Sequence, residues 1–282
     1  MTKKKEKKKS KFKLILIYCL LIIGLLLIYS YYIEPYNLIV KEYKIENKDL
    51  PKSFDGIKII HFSDVHYGST VDEKYLKKIV DLINKQNPDI VFFTGDFIDK
   101  RTNLKESEIQ NIKNILSEIE SPLGKFAVNG NHDIKHLETY KKIMNDNFIM
   151  LDNTEKLIYY KESTPISVVG LTDRSETKVD YEILDQDNTY YRIILAHEPD
   201  EFNKIKDYSF NILLSGHSHN GQVRLPLIGA IYTPIGSKTY YDEYYKIDNK
   251  EIYVSNGIGT FTLDIRFNST PSINLYRLYA QW

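Results

Sequence analysis

The chain has 282 residues and a mass of 33.1 kDa, with 42% hydrophobic and 27% charged residues, which excludes a disordered tail and a fibrous repeat. Its single cysteine, Cys19, excludes a disulfide scaffold and a thiolate metal cluster. The formal net charge of zero hides an asymmetry. Eight lysines against Glu6 give residues 1–13 a charge of +7, leaving −7 on the other 269, a poor balance for gripping long nucleic acid.

Residues 14–33, LILIYCLLIIGLLLIYSYYI, carry no charge. As a helix at about 1.5 Å per residue they span roughly 30 Å, the hydrocarbon thickness of a bilayer. Tyr29, Tyr31 and Tyr32 close the run, where amphipathic rings favour the membrane interface. A cleavable leader would have a shorter apolar run and small residues at its cut site, and a buried core helix would not be apolar on every face. The sequence therefore predicts one uncleaved transmembrane helix over 14–33, with Cys19 as a lipid-facing filler. The basic leader, residues 1–13, is expected in the cytoplasm and the rest outside the cell membrane. A polar connector over 34–53, holding one strand at Leu38–Ile45, leads to a single domain over 54–282.

Within that domain Ile57–Phe62 reads as a buried strand. Leu76, Ile79, Val80 and Ile83 mark a helix face that stops before Pro88. Asp89–Thr94 is the next strand, followed by a helix on Ile109, Ile112, Leu116 and Ile119. A short strand at Phe126–Val128 and a helix on Leu137, Tyr140 and Met144 complete the first half. Strand–helix alternation with near-continuous apolar strands predicts a parallel sheet covered by helices. After Asn147 the texture changes to short strands at 166–171, 192–197, 210–215, 251–256 and 272–278. The whole predicts an α/β fold, a two-sheet core with outer helices.

Polar residues of ligand type gather where those strands end. Ser63-Asp64-Val65-His66, Gly95-Asp96, Gly130-Asn131-His132-Asp133, Ala196-His197-Glu198 and Ser215-Gly216-His217-Ser218-His219 each follow a strand directly, and loops at the carboxyl ends of strands converge on sites in such folds. Five of the seven histidines lie there. His61, inside a strand, reads as a packed core residue, and His136, in a helix's first turn, as solvent-facing. Each motif alone has an ordinary explanation as a turn or a cap; the five in succession do not.

Asp64 and His66, two apart on an extended segment, are expected to project to one side, and His217 and His219 repeat the arrangement. With Asp96, Asn131 and His197 they form seven oxygen or nitrogen donors without sulfur, a set suited to Mn, Fe or Zn. Seven donors exceed one coordination shell, so two divalent ions sharing a carboxylate are expected, and such a pair activates water for displacement at phosphorus. His132 is placed to give a proton to a leaving group, and Asp133 to orient that imidazole.

The ordered set D-x-H, G-D, G-N-H-D, isolated His and G-H-x-H resembles the calcineurin-like metallophosphoesterases. ILAHEPD (194–200), LLSGHSHNGQVRLPLIG (213–229) and the YVSNGIGT and IRFNSTPSINLYRL stretches resemble the bacterial branch with an N-terminal anchor or export signal. The resemblance implies a two-sheet sandwich flanked by helices. It implies one metal on Asp64, His66, Asp96 and His219, a second on Asp96, Asn131, His197 and His217, and His132 as proton donor. Asn220 stands where this branch commonly has glycine, Ser218 where it has threonine, and 238–245 lacks expected glycines; Asn220 is expected close to the metals. The activity expected is hydrolysis of a phosphodiester or phosphomonoester, with a phospholipid or cell-envelope precursor as the lipid-linked substrate. The alternatives are a tethered metal-binding scaffold without turnover and a cyclic-nucleotide phosphodiesterase; no long nucleic acid partner is expected.

Overall fold

Strands of four or five apolar residues, bare on neither face, dictate a layered core, and the computed structural model has one. It describes residues 2–174, 178–185 and 190–281, and the side chains of its N-terminal helix from Lys11 onward. That helix, α1 (Thr2–Tyr32), runs through the basic leader and the apolar segment without a break; the side chains of Lys3–Lys9 lie outside the described ones. One span, Lys11–Tyr36, is long and apolar enough to cross a membrane; its most apolar stretch is not buried against the rest of the protein, whereas Ser30, Glu34 and Pro35 at its end are.

The first sheet contains β1 (Ile39–Asn47), β2 (Lys58–Phe62), β3 (Ile90–Thr94), β4 (Lys125–Val128) and β5 (Ile149–Met150). The second contains β6 (Thr154–Ile158), β7 (Ile166–Gly170), β8 (Arg192–Leu195) and β9 (Ile212–Ser215). A small hairpin, β10 (Arg224–Leu225) and β11 (Gly229–Ala230), stands apart. β12 (Tyr244–Ile247) and β13 (Lys250–Val254) complete the second sheet, and β14 (Ser272–Ala280) returns to the first. The orders are β1-β14-β2-β3-β4-β5 and β12-β13-β9-β8-β7-β6. The sheets are therefore not the two halves of the chain. β14 inserts between β1 and β2, parallel to one and antiparallel to the other.

The segment read as a connector supplies β1, and its Glu34 is buried, accepting from the Asn268 and Ser269 N–H groups at 2.9 and 2.8 Å. Helices α2 (Glu73–Lys85), α3 (Glu106–Ser117) and α4 (Leu137–Met144) lay the periodic faces read from sequence onto the outer face of the first sheet, against Ile60, Phe62, Val91 and Phe93. Asp72 caps α2 by accepting from Tyr75 N at 2.7 Å. Successive strand residues point to opposite faces, so Ile59, Ile90, Phe92 and Phe126 meet Val168, Ile193, Leu195 and Leu214 between the sheets. Val169, Ile194 and Leu213 face a third cluster capped by the short α5 (Phe202–Ile205). The result is a two-sheet sandwich with helices outside. β2–β3–β4 and β7–β8–β9 are each parallel, which sets the carboxyl ends of the motif-bearing strands along common edges.

Candidate metal centre

Four of the motifs found in the sequence follow directly on a strand and Gly130-Asn131-His132-Asp133 follows one residue after β4, and the structure brings the five loops together. His66 Nε2 lies 3.0 Å from His219 Nε2 and 4.0 Å from Asp64 Oδ1, and His219 Nε2 is 3.3 Å from that oxygen. A second cluster joins His217 Nδ1 to His197 Nε2 at 3.1 Å and His197 Nε2 to Asp96 Oδ2 at 3.2 Å. The same Asp96 oxygen is 3.7 Å from His66 Nε2, so Asp96 stands between the clusters. Asp64, His66 and His219 form one group that could hold a metal ion, and Asp96, His197 and His217 another. All six are buried.

The donor atoms are aimed by backbone acceptors. His197 Nδ1 meets Thr94 O at 2.7 Å and His217 Nε2 meets Ile235 O at 2.7 Å, which leaves His217 Nδ1 a lone pair for a cation and turns His197 Nε2, once it gives up its proton, to the same side. Burial, with the His197 charge behind it, holds His217 down at about 4; burial, with His132 and His219, holds His66 at about 3. Burial, joined by the Arg266 guanidinium, also lowers His219 against the pull of Asp64. These three imidazoles are neutral at pH 7, the form that binds metal. His197 is the exception: burial lowers it, but Asp96 and Asp64 outweigh that and raise it.

One atom tests whether this cage fits a metal. Asn131 Oδ1 is buried with no hydrogen-bond partner, and an orphaned buried acceptor is costly unless something positive meets it. The donor set is nitrogen and oxygen throughout, and it fits. A cavity of about 170 Å³ opens over the clusters, lined among others by Lys100, Asn131, His132, Tyr232 and Phe261.

The extended geometry expected for D-x-H is not what the chain adopts. Asp64, His66, Asp96, His217 and His219 all have positive φ, between 45° and 66°, so twisted loops rather than strand alternation turn these side chains inward. Non-glycine residues reach this region at a cost, and strain of this kind concentrates at functional sites. Gly130 and Gly216, which lie outside the positive-φ region, serve close approach instead. A Cβ on Gly130 would lie 2.6 Å from Asp96 N, and one on Gly216 would overlap Asp64 Oδ2 and sit 2.6 Å from Ser63 Oγ.

Asp133 requires a correction. Its carboxylate does not orient His132. Oδ2 accepts from Asp96 N (2.8 Å) and Gly130 N (3.0 Å), and Oδ1 from Phe97 N (2.8 Å) and Ile98 N (3.1 Å). It is the staple of the Asp96 loop. His132 keeps its imidazole at the cavity, edge-on to His66 at 4.5 Å between centroids, with Nδ1 unpartnered. Asn220 does not approach the clusters either. Its Oδ1 accepts from Arg224 Nη1 at 2.6 Å and its Nδ2 lies 3.3 Å from Glu243 Oε1. His136 is half-buried in a 3-10 turn, with Nε2 at 3.3 Å from Lys100 O. His61 is the packed residue expected, between Tyr276 Oη (3.1 Å) and Thr94 Oγ1 (2.8 Å). The 238–245 segment is loop and edge-strand packing: Asp200 accepts from the Lys238, Thr239 and Tyr240 N–H groups.

Sequence reasoning missed Arg266. It is fully buried, donates to Asn256, Gly259 and Ser269 carbonyls, and reaches His219 Nδ1 at 3.2 Å. It also passed over Asp99, whose Oδ2 stands 3.8 Å from His66 Nδ1. Only their place in the IRFNSTP stretch and three residues beyond Gly-Asp could have flagged them.

The calcineurin-like phosphoesterase family model matches residues 57–221, and these include all seven candidate ligands. An uncharacterized metallophosphoesterase, YkuE of Bacillus subtilis, is 34% identical over 89% of this chain and 88% of its own. The UDP-2,3-diacylglucosamine pyrophosphatase LpxG of Chlamydia trachomatis is 28% identical over 82% of this chain and 87% of its own. The phosphodiesterase YaeI of Escherichia coli is 26% identical over 78% and 82%. The matching family model, the two buried donor clusters on either side of Asp96 and the two-sheet sandwich agree: this chain belongs to the calcineurin-like phosphoesterases, metal-dependent hydrolases of phosphoesters.

Proposed function

We propose that the chain is a membrane-tethered hydrolase of phosphodiesters or phosphomonoesters that acts with two divalent ions on a lipid-linked substrate of the membrane or cell envelope. Asp64, His66, Asp96 and His219 would hold one ion; Asp96, Asn131, His197 and His217 would hold the other, with Asp96 shared. The observation that carries this reading is the pair of clusters meeting at Asp96 beside the unpartnered Asn131 Oδ1. Bound Mn, Fe or Zn would supply Lewis acidity and lower the pKa of bound water.

The chain's own residues do the rest. Lys100, exposed at the cavity, draws an anionic group inward. The His132 backbone N–H donates to Asp96 Oδ1 at 2.8 Å and fixes that carboxylate. The His132 imidazole lines the cavity with Nδ1 unpartnered, placed to give a proton to the leaving oxygen. α1 tethers the site, its lysine leader in the cytoplasm and the hydrolase outside. The lipid-linked class is supported by that tether and by the substrate in the name of the LpxG relative.

The test uses the full chain in detergent, with Mn²⁺, on bis-p-nitrophenyl phosphate and on a lipid diphosphate. Hydrolysis should stop with EDTA and fall by roughly 100-fold or more in Asp96→Asn and His217→Ala. Folded protein that binds two ions yet turns over no phosphoester would make it a scaffold. Activity confined to soluble cyclic nucleotides would refute the lipid class.

A further inference from the structure

Apolar side chains left in solvent are uninformative singly and informative as a patch. Leu227, Ile228, Ile231, Tyr232, Ile235 and Leu263 are all exposed, Ile228 by 73% and Ile235 by 78%, and they sit on two adjoining loops. The turn of the β10–β11 hairpin is Pro226-Leu227-Ile228, with Leu227 at φ +68°. A solvated turn with positive φ calls for Gly, Asn or Asp; a leucine there breaks the local rule, and such breaks mark function.

The patch is bonded to the end of the apolar helix. Ser30 O, in the last turn of α1, accepts from Arg266 N at 2.9 Å. The next residue, Phe267, donates to Gln222 O at 3.0 Å and accepts from Arg224 N at 2.8 Å, at the base of the hairpin. Leu263 lies three residues before Arg266, within about 10 Å of chain. These bonds anchor both loops beside the end of α1. Between them a groove of about 490 Å³ runs along Val223, Ile231, Phe261, Leu263 and Ile265. Tyr232, Phe261 and Thr262 line both this groove and the cavity over the metal cage. Lys100 and Lys238 are exposed nearby, the latter with Nζ 5.0 Å from the Tyr232 ring centre, as cations beside anionic headgroups would be.

We propose that the 224–230 hairpin and the 261–265 loop rest on the bilayer that α1 crosses, so that the metal cavity opens at headgroup level and the groove receives the apolar part of a lipid substrate. This rests on the tether proposed above and deepens it: the membrane is a surface against which the site is seated, not only an address. The occupant is the lipid bilayer because the patch is continuous with a membrane-length helix and flanked by cations.

The experiment reconstitutes the full chain in phosphatidylcholine–phosphatidylglycerol vesicles. Leu227→Cys, Leu263→Cys and, as a distant control on β6, Lys156→Cys are each made in a Cys19→Ser background and carry an environment-sensitive fluorophore. Blue-shifted emission quenched by brominated lipid is expected at 227 and 263 and absent at 156. Water-like emission at all three on vesicle-bound protein overturns the docking surface and leaves the tether standing. Protein that does not float with vesicles overturns both. In a second arm Leu227→Ser/Ile228→Ser should keep hydrolysis of bis-p-nitrophenyl phosphate within about twofold while hydrolysis of a vesicle-borne lipid phosphoester drops about tenfold. Equal effects on the two substrates would refute the seating.

Discussion

Replacing Asp133 by asparagine separates a loop staple from an imidazole orienter. The wild-type carboxylate accepts four backbone N–H groups, two on each oxygen, from Asp96, Gly130, Phe97 and Ile98. Burial and the neighbouring Asp96 charge push this carboxyl up, yet all four of these partners are donors, so the ionised form is the one that the loop accommodates. An asparagine oxygen can serve one pair; its NH₂ then faces the other pair, donor against donor. Two charge-assisted bonds are lost at about 1.5–3 kcal/mol each and two buried N–H groups are orphaned. We expect Asp133→Asn to cost about 4 kcal/mol, a large share of the 5–15 kcal/mol typical of a domain. Urea unfolding of the metal-free full chain, followed by circular dichroism, measures it. Hydrolysis should fall with metal affinity, because Asp96 sits on the loosened loop. An unchanged unfolding midpoint, with a rate loss and pH profile matching His132→Ala, would refute this reasoning and restore the orienting role.

Two further outcomes follow from the geometry. Burial holds His61 at about 3, below its ordinary 6.5, so the unfolded chain takes up a proton that the fold refuses, and stability declines as pH falls from 6.5 toward 3. By pH 5 this amounts to about 2 kcal/mol. His61→Gln should be less stable at pH 8 but lose about that much less on acidification, read as the shift of urea midpoints between the two pH values. A pH dependence identical to wild type would show that His61 is charged in the fold. Independently of turnover, Mn²⁺ at about a hundred times the dissociation constant of each site should stabilise the wild type by about 2.7 kcal/mol per ion bound, reversibly with EDTA and much less in Asp96→Asn; thermal unfolding reads this directly.

Much of this was legible in the chain because burial and chemistry leave different marks. The i, i+3, i+4, i+7 stripe of Leu76, Ile79, Val80 and Ile83 has one explanation, and α2 lies where it puts a helix. The five loops were visible because imidazoles and carboxylates after apolar strands have no packing value. What could not be read depends on contacts far apart in sequence. Nothing local in 272–280 says that β14 leaves the second half and pairs with β1 and β2. The β5 and β6 strands, two and five residues long with three of their seven positions exposed, lack the apolar run that signals a strand. Sequence adjacency points Asp133 to its neighbour His132; its partners at Asp96, Phe97 and Ile98 are set by how β3 and β4 pair. The extended reading of D-x-H failed for a related reason: φ at Asp64 and His66 is imposed by the loops that clasp them.

Those clasps make the cage one cooperative unit. Asp64 donates its N–H to Gly95 O at 2.9 Å, its carbonyl accepts from Gly259 N at 2.8 Å, and both of its carboxylate oxygens face His217 N at 3.0–3.1 Å. A candidate ligand carboxylate is thus also the tie between the first and fifth motifs, and positive φ at both Asp64 and His217 persists because neighbouring loops over-determine it. Gly216 has ordinary φ, so its need for a missing side chain is purely a matter of space beside Asp64 and Ser63. Gly216→Ala should then cost about 3 kcal/mol, at the upper end for overpacking. In metal-free Asp64→Ala, where the clashing carboxylate is gone, the same substitution should cost at least about 1 kcal/mol less, a coupling of the size seen between residues in contact. The four proteins of this cycle are compared by urea unfolding. Strict additivity would mean that the Gly216 loop relaxes away from Asp64 without penalty, and that the five motifs are separate turns sharing a location rather than one interlocked cage.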